Sequence, residues 1–131
     1  MNTVSKITTA ILVILISLSS CNKDKDKVEM GISDEYYVKY VLKGNGTYIY
    51  FSDFSVYTDQ GNVSFSGYQY HSWNQTYGPV KKGFRASVSV GSSVTAEIYV
   101  SKNNGPFALK ASKSGGNSST SNISQSYTID F

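Results

Sequence analysis

The chain has 131 residues and a mild basic excess, 12 Lys and Arg against 9 Asp and Glu, for a net charge of +3. That excess is too small, and its basic residues too scattered, to argue for a nucleic-acid partner. One Cys and one His exclude an intrachain disulfide and leave too few ligands for a zinc site within one chain.

The amino-terminal stretch is polar with a single cation, Lys6, and is followed by an apolar run from Ile7 to Leu18. The run is shorter than the roughly 20 apolar residues a bilayer span needs. It fits the apolar region of a secretory signal, with small residues after it. Leu18-Ser19-Ser20-Cys21 closes the segment. Leu, two small residues and a Cys in this position resemble the precursor motif of bacterial lipoproteins. The resemblance implies cleavage between Ser20 and Cys21, lipid on the Cys21 sulfur and acylation of the new amino terminus. Residues 1–20 are then the signal peptide, and the membrane is reached through Cys21. One acyl chain holds a protein only marginally, at about 0.8 kcal/mol per buried methylene, whereas several chains retain it. Loss of Lys6 with the signal leaves a net charge of +2 on the mature part.

Residues 21–34 read as the lipidated Cys and a charged tether. Asn22-Lys23-Asp24-Lys25-Asp26-Lys27 alternates sign and has no apolar periodicity, so it has nothing to bury. Thirteen flexible residues give an end-to-end distance of about 20 Å. The Lys- and acid-rich start resembles the stretch after the lipidated Cys in Bacteroidota lipoproteins, where it favours surface display. The interleaved Lys25 and Lys27 depart from a purely acidic run. The implied location is the cell envelope, on the surface or periplasmic face of an outer membrane.

Residues 35–131 have a β composition, with eleven Tyr in the chain and no sustained helical period. The first strand runs from Glu35 to Lys43, with Tyr36, Val38, Tyr40 and Leu42 on one face. Gly44-Asn45-Gly46 turns the chain. The second strand spans Thr47 to Tyr57, and the three-residue spacing of Phe51 and Phe54 suggests a bulge at Ser52-Asp53. A turn at Thr58–Asn62 leads to a third strand from Val63 to about Tyr70. Gly83 to Val90 alternates cleanly, with Phe84, Ala86, Val88 and Val90 inward. Val94 to Ser101 repeats the pattern with Val94, Ala96, Ile98 and Val100. Joined by Gly91-Ser92-Ser93, this pair reads as an antiparallel hairpin. Phe107, Leu109 and Ala111 mark a short strand, Ser112 to Ser121 a loop, and Ile123 to Phe131 a last strand with Ile123, Tyr127, Ile129 and Phe131 on one face. Seven strands predict a single all-β domain, an immunoglobulin-like antiparallel β-sandwich. The Tyr37–Val41 opening, the Trp-containing middle and the Thr95–Val100 strand resemble small MmpS-type β-sandwich accessory proteins, although the cysteines usual there are missing. That resemblance implies a non-enzymatic accessory role at an envelope.

Chemistry-bearing residues are few. His71 sits in a polar aromatic segment and reads as a surface residue; no nucleophile-elbow sequence accompanies it. Asp53, Asp59, Glu97 and Asp130 could pair in space as a glycosidase requires, but Asp59 falls in a turn and Glu97 on an outward face, so they read as solvated acids. No cofactor is expected. The sharpest cluster is Tyr68, Tyr70, Trp73 and Tyr77, interleaved with Gln69, His71, Asn74 and Gln75. Rings that pack on apolar C–H faces, beside amides that bond hydroxyls, suit a glycan. The plainer and favoured reading is that Trp73 and two of the tyrosines complete the sandwich core; a protein-binding loop is a further competitor. The sequence therefore predicts an accessory or binding lipoprotein without catalysis, with glycan binding as the alternative and a hydrolase third.

Overall fold

The computed structural model describes residues 31–47, 50–91, 93–116 and 122–131. The signal segment, Cys21 and the first part of the tether lie outside the described residues. Ten strands appear among the described residues: β1 Tyr36–Gly44, β2 Tyr50–Phe51, β3 Phe54–Thr58, β4 Gly61–Phe65, β5 Gln69–Tyr70, β6 Ser72–Val80, β7 Arg85–Val90, β8 Val94–Lys102, β9 Ala108–Ser114 and β10 Ile123–Thr128. The same residues contain no helix. All pairings are antiparallel. One sheet has the order β6-β1-β8-β9, a second β10-β7-β3-β4, and β2 pairs with β5 alone.

The two four-stranded sheets pack through their apolar faces into a β-sandwich. Tyr36, Val38, Tyr40 and Leu42 of β1 and Val94, Ala96, Ile98 and Val100 of β8 come from the first sheet. Phe54 and Val56 of β3, Ala86, Val88 and Val90 of β7 and Ile123 of β10 come from the second. Alternation in the sequence becomes burial here because successive side chains on a strand point to opposite faces.

The hairpin expected between β7 and β8 does not form. β7 pairs with β3 and β10, and β8 pairs with β1 and β9. Alternation tells which face of each strand is buried but not which strand lies beside it. Residues 91–93 give a reach of about 13 Å from Val90 to Val94, enough to cross the roughly 10 Å between packed sheets. The link changes layers instead of reversing within one.

Other elements shift in informative ways. The expected second strand is β2 and β3, separated at Ser52-Asp53, where Asp53 takes a φ of 53°. The expected third strand splits into β4 and β5 around Gly67, whose φ of 92° suits a residue without Cβ. β6 is a strand that the sequence pattern does not predict. Its Asn, Gln and Thr are exposed on both faces and Gly78-Pro79 reads as a breaker, so its alternation is weak. Gly78 (φ 136°) lies where a Cβ would come 2.8 Å from the Tyr36 carbonyl oxygen, beside a bulge in the β1–β6 register between Tyr36 and Val38.

β9 extends to Ser114, into the stretch expected as a loop. A register shift at Ile98/Tyr99 sets Ala111 opposite Ile98 but Leu109 opposite Tyr99. Leu109 and Ala111 therefore face opposite sides, and Phe107 and Leu109 are exposed rather than core. The last strand ends at Thr128. Ile129 is still buried, held by its N–H to the Phe84 carbonyl and its carbonyl to the Gly83 N–H.

Ser33 and Asp34, expected in the tether, are fastened to the domain. Asp34 pairs with Lys102 at 2.7 Å and accepts from Asn103 Nδ2 at 2.9 Å, while Lys81 reaches the Ser33 hydroxyl at 2.7 Å. The lysine draws the Asp34 carboxyl below its ordinary range.

Candidate functional site

The hairpin of β3 and β4 continues, after a break, into the short ladder of β2 and β5. Phe54 faces Phe65 at the end of the first part; Phe51 faces Gln69 and Tyr50 faces Tyr70 in the second. Between them two residues, Ser52 and Asp53, stand against three, Ser66, Gly67 and Tyr68. Unequal lengths force a kink in the ribbon. The kink has two results. It turns Phe51 into the core, and it sets a group of tyrosines on the outside.

Tyr50, Tyr68 and Tyr70 are 43%, 66% and 69% exposed. The Tyr50 ring meets Tyr68 edge-on at 5.3 Å and lies tilted at 6.5 Å from Tyr70. The edge-to-face contact with Tyr68 is a favoured aromatic geometry at this separation. The result is an exposed surface built from three phenol rings. Large apolar rings grouped outside a core are informative, because scattered single exposures are the ordinary case.

At the same kink, with Ser66 two residues before Tyr68 in the chain, is an open depression of about 400 Å³ lined by Asp53, Phe54, Ser55, Ser64, Phe65, Ser66 and Ser89. Ser55 stands directly opposite both Ser64 and Ser89 in the sheet register. The floor therefore carries a row of hydroxyls across three strands. Asp53 is exposed and accepts from the Ser52 hydroxyl at 3.0 Å. The depression offers hydroxyl donors and acceptors and one carboxylate acceptor, with Phe54 and Phe65 also in its lining.

Of the four aromatic residues singled out in the sequence, the structure divides two from two. Tyr68 and Tyr70 belong to the exposed cluster. Trp73 and Tyr77 turn inward from β6, opposite Leu42 and Val38 of β1. Trp73 packs edge-on against Phe54 at 4.7 Å and Phe65 at 5.0 Å. Tyr77 lies 6.1 Å from Tyr40, and burial raises its phenol above the ordinary value. Both are half-buried at the margin of the core. Tyr50 is the residue that sequence reasoning missed: it lies twenty residues from Tyr70 in the chain, and only the β2–β5 register joins them.

His71 is exposed with a φ of 65°, and its carbonyl accepts from the Gly44 N–H at 3.0 Å. The acids are scattered and separately engaged. Glu97 takes the Lys43 ammonium at 3.0 Å and the Tyr99 hydroxyl at 2.9 Å, which raises both partners' pKa values. Asp59 accepts from Gln60, and Asp130 from Tyr127. Among the described residues no three His, Cys, Asp or Glu side chains gather as metal ligands would. No protein-family model, no curated protein and no solved structure matches the chain.

Proposed function

We propose that the protein is a lipid-anchored envelope domain with a non-enzymatic binding role, and that its ligand is a glycan. The observation that carries the ligand class is the exposed Tyr50–Tyr68–Tyr70 group, set at the same kink as the serine-lined depression. A sugar ring presents an apolar C–H face and a rim of hydroxyls. The phenol faces suit the first; Asp53, Ser55, Ser64, Ser66 and Ser89 suit the second. The site is shallow and open, which favours a segment or end of a chain over an enclosed small molecule. The non-enzymatic reading is supported by the dispersal of Asp53, Asp59, Glu97 and Asp130, since glycoside cleavage needs two carboxylates at a fixed separation.

The anchor rests on Leu18-Ser19-Ser20-Cys21 after the apolar run. Cys21→Ala should move the protein out of the membrane fraction or stop its maturation. Mass spectrometry of the native amino terminus checks this: an acylated Cys21 is the expected species, and a free thiol there would contradict the anchor. The glycan reading is tested by probing the detergent-solubilised full chain on a glycan array, where Tyr68→Ala should remove the signal.

A further inference from the structure

We infer that β6 is a self-pairing edge, and that its occupant is the β6 strand of a second copy of this chain. This inference is independent of the ligand reading. Four strands end the two large sheets: β6, β9, β10 and β4. Exposed edges are usually guarded by charge, bulges, proline or shortness. β9 carries Lys110 and Lys113 and a register irregularity. β10 lies against β9, with Lys113 Nζ on the Ser124 carbonyl at 3.4 Å and Lys110 5.9 Å from the Tyr127 ring. β4 is five residues long. β6 is nine residues long and carries no charge. Its guard is Gly78-Pro79 at one end, so Ser72 to Tyr77 is left open to pairing.

The pattern on β6 fits its own copy. In a two-fold antiparallel pairing centred on Gln75, Gln75 meets Gln75 of the other copy. Trp73 then faces Tyr77, and Asn74 faces Thr76, twice each. The self-matching order of aromatic and amide residues favours this occupant, and the lack of charge permits it. A two-fold axis sets each residue near its equivalent, so any charge at the centre repels itself, and like charges directly opposite are destabilising. β6 is the long edge with none. The inner positions add a second reason. Gln75 stands opposite Tyr40, which is fully buried, yet Gln75 is itself exposed, and its neighbours Trp73 and Tyr77 are only half-buried. The pairing would cover the open sides of both rings with aromatic contacts and match an amide with an amide. The two four-stranded sheets would join into one of eight strands, by the same main-chain bonding that adds a peptide to a sheet edge.

Site-specific oxidation tests the register. Gln75→Cys in the full chain, in detergent, should give a disulfide-linked dimer. Asn74→Cys and Thr76→Cys should cross-link when mixed and not when separate. Ser112→Cys, exposed on β9, is the background control. In parallel, Gln75→Lys should weaken self-association by up to about fivefold by analytical ultracentrifugation, with a melt confirming the fold. Cross-linking of the Gln75→Cys chain no greater than that of Ser112→Cys would overturn the inference. So would an unchanged sedimentation profile for Gln75→Lys, or capture of a different protein by the Gln75→Cys chain with no homodimer.

Discussion

Ile98→Asp should leave the domain unfolded at room temperature. Ile98 is at the centre of β8, between Tyr40 on β1 and Ala111 on β9, and is fully buried. A carboxylate there meets no cation among the described core residues, and the hydroxyl of neighbouring Tyr40 is already bonded to Tyr57 and Ser87. Burying an unpaired charge costs several kcal/mol after relaxation, and the lost packing adds about 1 kcal/mol or more. A domain of this size is stable by about 5–15 kcal/mol, so little or nothing remains. Val88→Asp, on the inner face of β7 in the opposite sheet, should behave alike. Ser124→Asp is the matched control: it is exposed on β10 and should change stability by no more than about 0.5 kcal/mol. Circular dichroism melts of the three variants check this, and a cooperative wild-type-like melt for Ile98→Asp would show the strand faces to be misassigned.

The second large effect is expected at Tyr40, a first-sheet residue that completes the second sheet. Its hydroxyl donates to the Tyr57 carbonyl at 2.5 Å and accepts from the Ser87 N–H at 3.2 Å. The β3–β7 register runs through Phe54↔Val90, Ser55↔Ser89 and Val56↔Val88. One step further, Tyr57 and Ser87 are bridged by the phenol. Tyr40→Phe keeps the ring but strips both backbone groups of their partner. An unmet group costs about 1–3 kcal/mol when buried; both bonds here are part-buried, so the variant should lose about 2–4 kcal/mol.

The pH dependence follows from the same burial. Desolvation raises the Tyr40 pKa above its ordinary 10.0. A raised folded-state pKa gives stability that is complete below the unfolded value and is lost as pH rises above it. Wild type should therefore weaken above about pH 10 more steeply than Tyr40→Phe. Tyr77, Tyr99 and Tyr127 are also raised, but they are common to both proteins and cancel in the difference. Urea melts of the two proteins at neutral and alkaline pH supply the comparison; equal stability at neutral pH would contradict the bridge.

Burial is legible in the sequence where one face of a strand is apolar and the other polar. Tyr36 to Leu42, Ala86 to Val90 and Val94 to Val100 show it, and all three patterns match the core. Partnership is not legible there. β7 and β8 carry the same inward signal, and nothing in a period of two says whether the next strand lies beside its predecessor or across the core from it. β6 is hidden for a related reason. An edge strand with polar residues on both faces lacks the contrast on which the period depends. Leu109 and Ala111 show a third limit, since one bulge reverses the phase of an otherwise regular alternation.

The candidate site is half legible. Tyr68 and Tyr70 stand out by density, but so do Trp73 and Tyr77, and spacing alone does not place their rings. The turn at His71, with its positive φ, separates the outward pair on β5 and just before it from the inward pair on β6. Tyr50 gives no local signal, because its membership comes from a pairing across twenty residues. The serine row of Ser55, Ser64 and Ser89 is likewise a product of register, drawn from three strands.

One paired measurement separates the exposed tyrosines from the aromatic pair at the core margin. Glycan-array binding and thermal melts would be recorded together for the full chain, the double variant Tyr68→Ala/Tyr70→Ala, and Trp73→Ala. The double variant should lose glycan binding and keep the wild-type melting temperature, because both rings are exposed. Trp73→Ala should keep binding and lose about 2–3 kcal/mol of stability, since Trp73 packs on Phe54 and Phe65. A double variant that binds as wild type does, or a wild-type chain that binds no glycan, would contradict the account.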